Sequence, residues 1–146
     1  MTYTAFFAQL LRVEIDLWNS LTSHLSAEVG ISLPQLQALS AIDKFDGTAR
    51  VQDVSDEMVI TVGATSKLVD RLERDGHAER RSNPGDRRSS IIVLTDAGTR
   101  FLKNGKAATE IHLRGILASS FSEARAAELA DEFLTLRTQL PGKATS

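Results

Sequence analysis

A mainly helical chain carrying one small β-hairpin, an α+β arrangement, is predicted by three observations. Apolar residues recur at three- and four-residue spacing over most of the 146 positions. Two short runs with strand character, HAERRS and SSIIVLT, flank the turn NPGDRR. Serine, threonine and glycine stand where helices need to start and stop.

The first helix is expected over about 4–29, because Phe6, Leu10, Val13, Leu17 and Leu21 form one helical stripe. Phe7, Leu11, Ile15 and Trp18 widen that stripe beyond what a single core face needs, so the helix calls for more than one packing partner. Gly30 ends it. Ser32 and Gln35 have capping-box spacing and open a second helix whose buried face is Leu33, Leu36, Leu39, Ala41 and Ile42. Asp46-Gly47 closes that helix, and a short third one follows over about 51–59 with Val54 and Met58 facing inward.

The fourth helix, TVGATSKLVDRLERDG, has the most informative wheel. At 100° per residue Thr61, Thr65, Leu68, Val69 and Leu72 cluster on one face. Gly63, Ser66, Lys67, Asp70 and Arg74 fall opposite, with Arg71 on the flank. Thr61 is the expected N-cap and Gly76 the C-terminal stop. Strands are expected at about 77–82 and 89–94, joined by Asn83-Pro84-Gly85-Asp86 with Arg87 and Arg88 directly after. Thr95 then caps a long helix to about 118, and Ser122 caps a last one to about 139. In the last helix Leu129, Phe133, Leu136 and Leu140 make a seam suited to another helix. Trp18 and Phe45 are expected to pack in the core, the lining of a ligand cavity being the alternative, and the PGKATS tail is expected to be disordered.

Composition narrows the function. With 42% apolar residues the chain is one domain's worth of core. It has no cysteine, which excludes disulfides, thiol redox sensing and cysteine-ligated metal. His24, His77 and His112 show no ligand-like spacing, so neither a metal nor a cofactor is expected. No apolar run reaches the roughly 20 residues of a membrane span and no signal peptide opens the chain, so a cytoplasmic protein with no membrane partner is expected. Nucleophile–base pairs, paired carboxylates and phosphate-cradling glycine loops are all missing, which argues against an enzyme.

Charge is unevenly placed. Net charge is −2, yet between Lys67 and Arg88 seven basic residues face five acidic ones, leaving that window at +2 and the remainder at −4. A local basic footprint on an acidic body positions a protein on phosphates. The small first turn (Gly63, Ala64, Ser66) lets a helix approach base edges in a major groove, while Lys67, Arg71 and Arg74 reach phosphates. The hairpin tip with Arg87 and Arg88 can reach the minor groove. Arg80 and Arg81 point to opposite sides of one strand, so at most one faces DNA. The rival reading is a protein-interaction module of the same fold that does not touch DNA.

The stretch GATSKLVDRLERDGHAERRSNPGDRRSSIIVLTDAG, above all LVDRLERDG followed by DRR and LTDAG, resembles the MarR family of bacterial transcriptional regulators. The resemblance runs from Ser32 to Leu102 and extends through the outer helices to nearly the whole chain. It implies a single domain over 1–146, with a winged helix-turn-helix at 32–95 flanked by dimerisation helices at 1–30 and 96–140. It also implies a homodimer on an inverted-repeat operator, usually a repressor, and a small-molecule effector of unidentified nature. By position, Thr61, Gly63, Ala64, Thr65, Ser66 and Lys67 match the groove-facing start of the recognition helix, and Arg71 an arginine at its middle. Asp86 matches an aspartate that steadies the wing, and Arg87 or Arg88 the arginine entering the minor groove. The dimer is expected to involve Phe6, Leu10, Leu129, Phe133, Leu136 and Leu140. Two positions depart from the pattern: Val59 stands where a turn glycine is common, and Val62 where a polar or basic residue is common.

Overall fold

Capping side chains set where most of the helices begin. In the computed structural model, which describes residues 1–141, Thr2 opens α1 (Tyr3–Glu28) by accepting the Ala5 amide at 3.1 Å. Gly30, at φ +73°, closes it, and the amides of Val29 and Gly30 both return to the Leu25 carbonyl at 3.0 Å. The capping box forms at α2 (Leu33–Lys44): the Gln35 amide meets Ser32 Oγ at 3.2 Å and the Ser32 amide meets Gln35 Oε1 at 3.0 Å. Then come α3 (Val51–Met58), α4 (Val62–Arg74), β1 (Ala78–Ser82), β2 (Ser90–Leu94), α5 (Asp96–Leu117) and α6 (Glu123–Gln139). Every expected element is present, with ends shifted by one or two residues. The expectation for the PGKATS tail falls on residues 141–146, of which 142–146 lie outside the described residues.

The chain divides into two compact units, residues 1–110 and residues from Ile111 onward. The first holds the core. Leu25, Ile31, Leu39, Ile42, Val54, Val69, Leu72 and Ile92 are fully buried there, drawn from α1 through β2. Phe45 packs against this cluster, as expected. Trp18 does not: it is 38% exposed on a helix whose only buried residues are Leu21 and Leu25. Burial along α1 is confined to Leu21 and Leu25 near its C-terminal end, and Trp18 lies before them in the chain. In the second unit α6 starts at Ser122, whose hydroxyl accepts the Arg125 amide at 3.2 Å, and none of its residues is buried.

The hairpin is antiparallel, with Ala78 opposite Leu94, Arg80 opposite Ile92 and Ser82 opposite Ser90. It is tied to the helical core because the buried Ile92 donates its amide to Ala49 O at 2.7 Å. Thr95 adds a second tie. Its hydroxyl donates to Gly76 O at 2.6 Å and accepts the Gly98 amide at 3.0 Å, so one side chain joins the end of α4 to the start of α5. Gly98 permits this: a Cβ there would lie 1.8 Å from His77 O.

Candidate nucleic-acid interface

The turn between α3 and α4 sets the direction of α4. Val59 adopts φ 61° and ψ 40°, the left-handed conformation that a glycine takes at no steric cost. The glycine-type geometry is therefore kept without glycine, and Ser55 helps to hold it. The buried Ser55 hydroxyl donates to Ile60 O at 2.7 Å, and the Ile60 amide returns to Ser55 O at 3.3 Å.

Thr61 then caps α4 by accepting the Ala64 amide at 3.1 Å. Thr61, Val62, Gly63 and Ala64 are exposed, Ser66 is half-buried, and Lys67, Arg71 and Arg74 are exposed. Open space surrounds Gly63, where a Cβ would meet nothing within 4 Å. Thr65 is a correction to the groove-facing set. Its side chain is fully buried and its hydroxyl donates to Thr61 O at 2.9 Å, so it serves the core and has no reach to a base. Thr61 differs from its wheel position in the other direction: as the cap it stays at the surface.

The wing tip is built by its own hydrogen bonds. Asn83 Oδ1 accepts the Gly85 amide at 3.1 Å, and Asn83 Nδ2 reaches Ser89 Oγ at 3.0 Å. Asp86 Oδ1 accepts the Arg88 amide at 2.9 Å, which braces the turn as the resemblance implied. Arg87 and Arg88 are thereby held at an exposed tip.

Ion pairing sorts the basic residues. Arg80 is committed to α4, with Nη2 2.7 Å from Asp70 Oδ1 and Nη1 3.0 Å from Glu73 Oε1. Arg81 pairs with Glu79 on its own strand. Arg74 meets Asp75 at 3.2 Å, which weakens its claim to a phosphate. Lys67, Arg71, Arg87 and Arg88 make no ion pair among the described residues. Sequence reasoning did not find the Arg80 bridge, because it depends on β1 register against α4. Among the described residues no cluster of three metal-ligating side chains exists, and no helix is long and apolar enough to cross a membrane.

Residues 29–89, which run from the end of α1 through the wing tip, match the model of the MarR family. Over that stretch the chain is similar to the MarR family. MarR regulators are transcription factors without enzymatic activity. Among similar proteins, an uncharacterised HTH-type transcriptional regulator of Bacillus subtilis, YfiV, is 30% identical over 76 residues, which is 52% of this chain and 47% of that protein. This chain thus spans about half the length of that relative. Among solved structures, the MarR-family regulator Sco3205 of Streptomyces coelicolor, in complex with DNA, superposes with a TM-score of 0.85 at 19% identity, covering 97% of this chain and 90% of that one. CouR of Rhodococcus jostii, bound to p-coumaroyl-CoA, superposes with a TM-score of 0.77 at 20% identity, covering 92% and 93%. At these identities the structural likeness concerns the fold, a winged helix-turn-helix with long outer helices.

Proposed function

We propose that this protein is a sequence-specific DNA-binding regulator of the MarR family, a ligand-responsive repressor that grips an inverted-repeat operator as a homodimer. One observation carries the reading. Lys67 and Arg71 on α4, and Arg87 and Arg88 on the wing, are exposed cations without a carboxylate partner among the described residues, whereas Arg80 on β1 is tied down. Unpaired cations beside a small helix tip suit phosphates and a groove floor. The complex of Sco3205 with DNA supports the same use of the fold.

Homodimerisation is supported by apolar surface. Phe6, Phe7, Leu11, Val13 and Ile15 on α1 are 43–57% exposed. Phe133, Leu134 and Leu136 on α6, and Leu140 directly after it, are 39–59% exposed. Faces of that kind mark association surfaces. Two recognition helices set about 34 Å apart then meet half-sites one DNA turn apart.

An effector is supported by a cleft of about 380 Å³ between α2 and α5, lined by Leu33, Leu36, Ser40, Lys106 and Thr109 among others. Thr109 Oγ1 is buried there without a hydrogen-bond partner among the described residues. An apolar floor rimmed by an ammonium and a carboxylate, Lys106 and Glu110, suits an amphipathic ligand with a polar head. Such a ligand acts only if it binds the DNA-competent and DNA-incompetent arrangements with different affinity.

The testing experiment is a nuclease footprint on the DNA flanking the protein's own gene, run with wild type and Arg87→Ala/Arg88→Ala. A two-fold symmetric footprint that the double variant loses is expected. Equal protection by both proteins rules out the role given to the wing.

A further inference from the structure

The recognition helix and the wing are separated by a cleft of about 390 Å³. Its walls come from three elements: Arg50 and Gln52 at the start of α3, Ser66 on α4, and Arg80, Arg88 and Ser90 on the wing. None of its lining residues is acidic. In duplex DNA a single phosphodiester strand divides a major groove from the adjacent minor groove. A helix in the one and a wing arginine in the other therefore straddle that strand. The strand has to pass between Ser66 and Arg88, where this cleft lies.

We propose that the cleft is a phosphodiester-binding site and that Arg50, which precedes α3, supplies its principal positive charge. The inference rests on the DNA-binding reading of α4 and the wing. Arg80 lines the same cleft, but its guanidinium is spent on Asp70 and Glu73 and only 27% of the side chain is exposed. Arg50 is differently placed. Its side chain is 52% exposed and meets Asp53 only through Nε, at 3.4 Å. Asp53 is turned back onto the chain by accepting the Arg50 amide at 2.9 Å. The terminal nitrogens of Arg50 thus have no hydrogen bond or ion pair among the described residues, and a planar fork of donors matches a phosphate. The positive end of the α3 dipole adds to the field at the same spot. The contact positions the protein and carries no sequence information.

The test compares full-length wild type, Arg50→Gln and Arg50→Lys on two fluorescent duplexes: one selected from a random pool by wild type, and one random. Each basic phosphate contact contributes about 0.9 to the log–log salt slope, so Arg50→Gln in a dimer is expected to flatten the slope by roughly 2. The affinity loss should be the same factor on both duplexes, and Arg50→Lys should keep the wild-type slope. Replacing the strand's phosphates one at a time by neutral methylphosphonates identifies the partner: one replacement per half-site should weaken wild type and leave Arg50→Gln unaffected. An unchanged slope for Arg50→Gln beside a steep wild-type slope overturns the cleft assignment alone. Equal losses for Gln and Lys together with a lowered unfolding midpoint assign Arg50 a structural role and overturn it too. Wild type that binds neither duplex overturns the functional reading itself.

Discussion

Arg80 on the wing reaches Asp70 on the recognition helix, with 2.7 Å between Nη2 and Oδ1. Glu73, one turn along α4, takes the other terminal nitrogen at 3.0 Å and also accepts the Arg80 amide at 2.8 Å. The helix α4 and the wing are therefore locked to each other by side chains as well as by the shared core.

Arg80→Met removes that lock while keeping the apolar stem. Both carboxylate partners are largely exposed to solvent, and pairs screened in this way contribute about 0–1 kcal/mol, so the urea midpoint should move little. Operator affinity should fall at least about tenfold, because helix and wing no longer hold their relative placement. Equal percentage effects on stability and binding contradict a positioning role for Arg80.

Val59→Gly relieves a β-branched residue in the left-handed region. That conformation costs an L-residue about 1–2 kcal/mol, against about 0.5–1 kcal/mol of added chain entropy for glycine. Val59 is 54% exposed, so little burial is lost. A gain of about 0.5 kcal/mol in urea unfolding is expected, and a loss contradicts the strain assigned to this turn.

Gly98→Ala should destabilise by about 3 kcal/mol or more, since its Cβ has no room beside His77 O, 1.8 Å away. Chemical unfolding measures it. A neutral result shows that the start of α5 and the end of α4 separate without cost.

Phe133→Glu places charge on the exposed apolar face of α6, where the native ring is 39% exposed. The expected outcome by sedimentation is a folded monomer with much weaker operator binding. A variant that sediments like wild type removes Phe133 from the proposed interface.

Helix starts were legible because they depend on neighbours in sequence: Ser32, Thr61, Thr95 and Ser122 each cap the helix their spacing implied. Thr65 shows which evidence to weigh. The wheel put it inward and the positional match put it in the groove, and its full burial follows the wheel. Val59 hid its conformation, since nothing local distinguishes a left-handed valine from an extended one. Arg80 and Arg50 were illegible for another reason. The partners of Arg80 lie on α4, and the cleft beside Arg50 exists only once α3, α4 and the hairpin are assembled.

The central claim is that paired cationic helices and wings hold duplex DNA, and ionic strength tests it most directly. Between about 50 and 200 mM salt, three or four phosphate contacts per subunit predict a log–log slope of roughly −5 to −7 for the selected duplex. A slope near zero, or no binding at the lowest salt, contradicts it.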